Sequence, residues 1–88
     1  MKIMKVVYMQ ECEHSSWDGG NSQRYMGEES WRVGEKFNGE YIQGIVTSIA
    51  EDVVGGWFSV FVTTPERTLL QAMCIPVHAV QRIYYGEH

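Results

Sequence analysis

Two cysteine–histidine pairs contain the side chains of this chain that are best suited to metal binding or catalysis. Cys12 and His14 are separated by one residue, and Cys74 and His78 by three. Two thiolates and two imidazoles suit tetrahedral Zn²⁺, and alternate residues of a strand point the same way. The spacing matches no standard zinc module, however, and Pro76 lies within the second pair. We therefore expect no metal or other cofactor. Cys74 is expected to pack as a small buried hydrophobe and His78 to pack on or cap a short turn. A zinc-stabilised domain that uses all four residues is an alternative.

The same residue types also suggest thiol catalysis by a cysteine and histidine pair. A nucleophilic thiolate needs an electropositive, partly exposed site and a base held by a third group. The sequence provides no pattern for that third group or for an oxyanion hole. We expect a protein that is not an enzyme and has no catalytic residues.

The candidate contact residues lie in a segment that follows the first predicted strand. Residues 13–30 are dense in Ser, Asn and Gly, which favour turns, and they predict a long loop. Loops longer than about 12 to 15 residues are usually functional or disordered, and Trp, Tyr, Met and Arg are enriched at interface hot spots. The predicted partner-binding residues are Trp17, Asp18, Arg24, Tyr25, Met26, Glu28, Glu29, Trp31 and Arg32. Alternatively, Trp17 and Trp31 fold back to cover an open end of the fold.

The net charge of −4 disfavours tight, non-specific binding to phosphates. Seven acids and three bases lie between Asp18 and Asp52, so all of the net charge falls in this stretch. It predicts a solvated face or a surface for a basic partner. A nucleic-acid-binding barrel is the second alternative. It would require Arg24, Arg32, Arg67, Arg82 and the lysines to converge on one face.

The length of 88 residues leaves room for one core, and we expect residues 1–88 to form a single domain. A chain this short buries only roughly 60% of its unfolded surface, so a homo-oligomer, for example a homodimer, is an open alternative. The apolar N-terminal run is broken by Lys5 and lacks a cleavage site for a signal peptide. No apolar stretch approaches the roughly 18 to 20 residues that cross a bilayer. We expect a cytoplasmic protein with reduced thiols that does not contact a membrane.

The first half of the chain predicts strands joined by tight turns. Residues 2–10 are rich in β-branched and aromatic types, and residues 31–37 form a second short candidate. Asn38-Gly39 between apolar residues is a strong hairpin signal. Residues 41–50 alternate with period two, and Gly44 within that run predicts a bulge or sharp bend.

The second half predicts the closing strands of the fold. The Gly55-Gly56 pair predicts a turn, residues 57–63 a strand, Pro65 the corner of a turn, and residues 68–75 another strand. Pro76 cannot donate to a sheet, so that strand ends there. Residues 77–80 then predict a 3₁₀ turn and residues 81–85 a last strand.

The bent strand, the hairpin through Thr64-Pro65-Glu66-Arg67 and the turn IPVHAV before QRIYY resemble SH3-like small barrels over residues 31–86. The fold class predicted is mostly β, a small antiparallel barrel of five to six strands with the long loop and one 3₁₀ turn. The resemblance implies a binding module more often than an enzyme, because so small a barrel has a filled interior. We expect a non-enzymatic protein that binds another protein, as an inhibitor or adaptor of the phage or mobile-element type.

Overall fold

The computed structural model describes the backbone of residues 2–15 and 22–86 and the side chains of residues 2–11 and 26–86. Within these residues the chain forms seven strands and one 3₁₀ turn, where the sequence predicted five to six strands. The strands are β1 (Lys2–Ser15), β2 (Ser22–Arg32), β3 (Lys36–Asn38), β4 (Gln43–Asp52), β5 (Trp57–Thr63), β6 (Leu70–Pro76) and β7 (Val80–Gly86). The 3₁₀ turn spans Val77–Ala79, and no α-helix occurs in the described residues. The mostly β prediction is confirmed.

The strands form two antiparallel sheets. One has the order β2-β1-β7, and the other has the order β3-β4-β5-β6. The strands curl into a half-barrel, which is compatible with a small β-barrel. None of the described residues belongs to a helix that is long and apolar enough to cross a membrane.

The hydrophobic core lies between the two sheets and takes side chains from both. Val6 of β1 and Val60 and Val62 of β5 are completely buried. The buried cluster consists of Val6, Tyr8, Phe37, Val46, Ile49, Phe58, Val60, Val62 and Ile75. Burial of this apolar surface is the main favourable contribution to folding.

The chain passes from the first sheet to the second at Val33 and Gly34. The Val33 amide donates to the Met4 carbonyl at 2.8 Å, and the Gly34 amide donates to the Val46 carbonyl at 2.7 Å. Consecutive amides therefore bond to different sheets. Gly34 has φ of 95°, a left-handed conformation that glycine adopts without steric cost.

The β1–β2 hairpin replaces most of the loop predicted over residues 13–30. Residues 13–15 end β1, residues 22–30 belong to β2, and the pairing runs from Lys5 opposite Arg32 to Ser15 opposite Ser22. The turn-forming residues of β2 have weak strand propensity, but β1 provides a continuous ladder of hydrogen bonds, and tertiary context overrides local propensity. Residues 16–21 lie outside the described residues.

The bulge or sharp bend that the sequence predicts at Gly44 does not lie at that residue. The irregularity of β4 lies at Thr47, between the pairs that Val46 and Ser48 make with β5. A Cβ on Gly44 would instead collide with the backbone oxygen of Thr63. Glycine is therefore needed here because two strands approach closely.

The predicted Asn38-Gly39 hairpin is present, but its turn lies two residues later. Asn38 pairs with Gln43, and the Gly39 amide donates to the Ile42 carbonyl at 2.8 Å. A Cβ on Gly39 would lie 2.7 Å from a ring carbon of Phe37. Gly39 thus makes room for a buried aromatic ring instead of supplying a central turn residue.

The end of the fold agrees with the sequence prediction. Strand β6 stops at Pro76, the 3₁₀ turn follows, and β7 returns to pair with β1. The Val77 amide donates to the Gly56 carbonyl at 3.0 Å and so fixes the 3₁₀ turn to the β4–β5 turn. Gly56 has φ of 75°, as a tight turn at the predicted glycine pair requires.

Candidate groove between the hairpin and the 3₁₀ turn

A groove of about 660 Å³ lies between the β1–β2 hairpin and the segment formed by β6 and the 3₁₀ turn. This volume is in the range of roughly 300 to 1,000 Å³ that is typical of ligand sites. Most of its lining side chains are apolar or contain sulfur. The lining residues are Tyr8, Met9, Gln10, Glu11, Met26, Met73, Cys74, Ile75, Pro76, His78, Ala79 and Gln81.

Tyr8 is held in the groove by two side-chain contacts. The Trp31 indole donates from Nε1 to the Tyr8 hydroxyl at 3.0 Å, and that hydroxyl donates to Sδ of Met73 at 3.7 Å. The Trp31 ring packs on Phe37 with centroids 4.6 Å apart and an interplanar angle of 36°. The hydroxyl is therefore fixed by residues from β1, β2 and β6.

The electrostatics of Tyr8 follow from its burial. Burial raises the pKa of the Tyr8 hydroxyl, and the negative charge of Glu29 raises it further. The hydrogen bond donated by Trp31 lowers the pKa because it favours the phenolate, but it does not cancel the effect of burial. Tyr8 is thus a neutral hydrogen-bonding group in the groove at physiological pH.

On the β6 side of the groove, the prediction that Cys74 is buried is wrong. Its thiol is exposed, and the sulfur accepts a hydrogen bond from the Gln71 side-chain amide. The side chain on the core side of this wall is its neighbour Ile75, which is 1% exposed. Successive residues of a strand point to opposite faces, so a strand that buries Ile75 must direct Cys74 outward.

His78 lies in the 3₁₀ turn and is exposed, and Pro76 precedes this turn in an extended conformation. His78 makes no capping hydrogen bond within the turn, because the cap is a backbone contact from Val80 to the Val77 carbonyl. The predicted capping role is therefore not observed. Cys74 and His78 both line the groove.

The zinc alternative stays a prediction. The side chains of Cys12 and His14 lie outside those described, and only the strand position of these two residues is defined. Among the side chains that are described, no three His, Cys, Asp or Glu residues are grouped as metal ligands would be.

The predicted partner-binding residues are distributed over several environments. Trp17 and Asp18 lie outside the described residues, and Arg24 and Tyr25 are described only as backbone in β2. The register places the next five on opposite sides of the hairpin, with Trp31 and Glu29 on the side of Val6 and Tyr8. Met26, Glu28 and Arg32 are on the other side, opposite Glu11, Met9 and Lys5.

Met26 and Trp31 have the most different surroundings among these predicted residues. Met26 is 59% exposed and lines the groove. Trp31 is half-buried and packs against the core, so the packing alternative describes its contacts. Trp31 serves the groove by positioning Tyr8.

Most groove residues were missed in the sequence because they come from distant segments. Met9 and Met73 are 64 positions apart in the numbering, and no local pattern links them. The one available signal was the five methionines in so short a chain, since methionine is over-used at adaptable binding surfaces.

A basic face lies on the outer side of the β2-β1-β7 sheet. Lys5 is opposite both Arg32 of β2 and Tyr84 of β7, and Arg82 of β7 is opposite Val7, two residues further along β1. Nζ of Lys5 lies 5.4 Å from the centroid of the Tyr84 ring, a cation–π distance. Arg67, by contrast, lies in the turn between β5 and β6 of the other sheet.

The acidic residues of the predicted acidic stretch are solvated wherever their side chains are described. All six are exposed: Glu28, Glu29, Glu35, Glu40, Glu51 and Asp52. One of them is structural, because Oδ1 of Asp52 accepts a hydrogen bond from the Gly55 amide at 2.8 Å.

Comparison of the chain with protein-family models, with curated proteins and with solved structures found no match. The SH3-like resemblance of residues 31–86 stays a prediction.

Proposed function

We propose that this protein is a non-catalytic binding protein that holds an extended, apolar segment of another protein in the groove. The observation that carries the proposal is the groove itself, with its apolar and methionine-rich lining. Methionine side chains are flexible and polarizable, so they adapt to partners of different shape. The inhibitor or adaptor role expected from the sequence, of the phage or mobile-element type, belongs to this proposal.

Strand β6 supports an extended conformation for the bound segment. It is the edge of the four-stranded sheet in the described part of the chain, and all its residues are uncharged. Four consecutive residues, 73–76, line the groove. Because successive side chains alternate between faces, a groove that touches four in a row must run along the edge of the strand. An edge of this kind accepts another strand through backbone hydrogen bonds.

The charge of the groove favours a basic segment. Glu11 belongs to the lining, and no lysine or arginine among the described side chains does. Glu29 acts on the Tyr8 hydroxyl electrostatically and so lies near the same site. We expect a segment in which apolar residues alternate and at least one lysine or arginine is present.

A displayed library of random peptides, selected on the immobilised protein, tests this function. The selected peptides should be apolar and basic, and Met26→Lys should weaken their binding at least tenfold, because it replaces an apolar contact by a charge of the same sign as the bound segment. Leu69→Lys is the matched control, since Leu69 is 60% exposed against 59% for Met26 and lies outside the groove lining.

Isotope-labelled methionine methyl groups give a second measurement. The signals of Met9, Met26 and Met73 should shift when a selected peptide binds, and that of Met4, which does not line the groove, should not. Equal binding to the Met26 and Leu69 variants, with no shift of the groove methyl groups, would refute the proposed function.

Nucleic-acid binding is a second candidate, because Lys5, Arg32, Arg82 and the half-exposed Tyr84 share one outer face. Three phosphate contacts to a single strand predict a slope of about −2 for log K against log salt. Arg82→Gln should reduce the magnitude of that slope by about 0.7. Arg67→Gln, in the turn between β5 and β6, should leave it unchanged. No binding of a single-stranded oligonucleotide at low salt excludes this candidate.

A further inference from the structure

Strand β7 is an edge strand with exposed aromatic side chains. In the described part of the chain it pairs with β1 alone. Tyr84 is 44% exposed and Tyr85 is 57% exposed. An edge strand presents backbone donors and acceptors that can pair with another chain.

The edges of the two sheets differ in how they are protected against such pairing. Strand β2 carries charged residues, such as Glu28 and Arg32, and β3 spans only three residues. Strand β6 borders the groove. Strand β7 has no proline and a single charged residue, Arg82. Its pairing with β1 is irregular at Gln81, near its start, and again between Tyr84 and Tyr85, where Met4 of β1 is the extra residue. Residues 82–84 between these points pair with β1 as a regular run.

We propose that β7 pairs antiparallel with β7 of a second copy of this chain, with the two-fold axis at Ile83. In such a pair the axis passes between two directly opposite residues, so one residue pairs with itself. With Ile83 at the centre, Arg82 lies opposite Tyr84 of the second copy, and the same contact occurs twice. The three-stranded sheet becomes a continuous sheet of six strands.

The contacts of Arg82 favour this register over the two neighbouring ones. An axis at Tyr84 would place Arg82 opposite Gly86, which has no side chain to contact. An axis at Arg82 would place two guanidinium groups opposite each other, and like charges at opposite positions destabilise a strand pair. An axis at Ile83 places each guanidinium beside an aromatic ring, which is a favourable cation–π arrangement. Lys5 lies over the Tyr84 ring of its own chain. Because Lys5 belongs to β1, on one side of β7, Arg82 of the second copy would approach Tyr84 from the other side of the strand.

Sedimentation at increasing protein concentration, without a groove ligand, tests the dimer. The wild-type protein should dimerise reversibly. Tyr84→Arg should raise the dissociation constant at least about tenfold, because it replaces two attractive contacts by two repulsive ones, and about 1.4 kcal/mol is a factor of ten. Arg82→Glu combined with Tyr84→Arg should restore dimerisation, because opposite charges then face each other. Gln43→Arg adds the same charge at an exposed position of the other sheet and should change nothing.

Melting curves of the variants show whether each one is folded. For the wild-type protein, hydrogen exchange gives a measurement that needs no substitution, since amides of residues 82–86 that point away from β1 should exchange more slowly as concentration rises. A wild-type monomer at all concentrations overturns the proposal. So does a folded Tyr84→Arg variant that dimerises like the wild type.

Discussion

Tyr8 joins three strands through one hydroxyl group. It accepts a hydrogen bond from Trp31 at 3.0 Å and donates one to Met73 at 3.7 Å, and the residue is 4% exposed. Tyr8→Phe removes both contacts and leaves the indole N–H of Trp31 without its acceptor. We expect the free energy of unfolding in urea to fall by about 1 kcal/mol. Tyr41→Phe, at a residue that is 90% exposed, is the control and should have no measurable effect.

The pH dependence of stability separates the hydroxyl from the packing of the ring. Because the pKa of Tyr8 is raised in the folded protein, the unfolded chain loses this proton first. Below the ordinary tyrosine pKa of about 10 both states are protonated and Tyr8 adds no pH dependence. Above it the wild type should lose stability as pH rises through the folded-state pKa, and Tyr8→Phe should lack this part of the loss. Parallel curves for the two proteins above that pH would contradict the assignment.

The residue type alone did not predict whether the reactive side chain of Cys74 is buried or exposed. The sequence predicted a buried Cys74, but the alternation of β6 buries Ile75 and exposes Cys74. The prediction rested on the general tendency of free cysteine to be buried. The position within the strand decides instead, because successive residues of a strand point to opposite faces.

Glycines are the clearest constraints at the scale of strands and turns. A methyl group on Gly44 would collide with the Thr63 backbone, whereas one on Gly34 meets nothing within 4 Å and costs only the left-handed conformation. Gly34→Ala should therefore destabilise the protein by about 1 to 2 kcal/mol. Gly44→Ala should cost more, because β4 and β5 must separate. Urea unfolding of both variants checks the order, and an equal or smaller effect at Gly44 would show that the strands move apart easily.

Strands whose own residue pattern is typical of a strand could be predicted from the sequence. Strands that form only through pairing with a neighbouring strand could not. Residues 57–63 and 81–85 lie within β5 and β7, and the stop at Pro76 was also found. Strand β2 contains serine, glycine and two adjacent glutamates, and only its pairing with β1 makes it a strand. The groove shares this difficulty, because it exists only once the β1–β2 hairpin stands opposite β6.

At the scale of the molecule, the two sheets are tied by a shared core and by hydrogen bonds across their junction. Val6 and Tyr8 come from one sheet, and the other seven residues of the buried cluster come from the other sheet. The Val33 and Gly34 amides bond to opposite sheets one residue apart. Neither sheet can bury its apolar face alone, so we expect both to unfold in one cooperative transition.

Val6→Ala tests this cooperativity, because the substitution lies in one sheet and can be observed in the other. Val6 is 0% exposed, and the loss of two buried methyl groups should lower the free energy of unfolding by roughly 2 kcal/mol. In native-state hydrogen exchange the slowest amides of β5 should lose the same protection as those of β1. Val54→Ala, at a residue that is 99% exposed in the β4–β5 turn, should change neither set. If β5 keeps its protection while β1 loses it, the sheets are separate folding units, and the groove between β1 and β6 would then open without global unfolding.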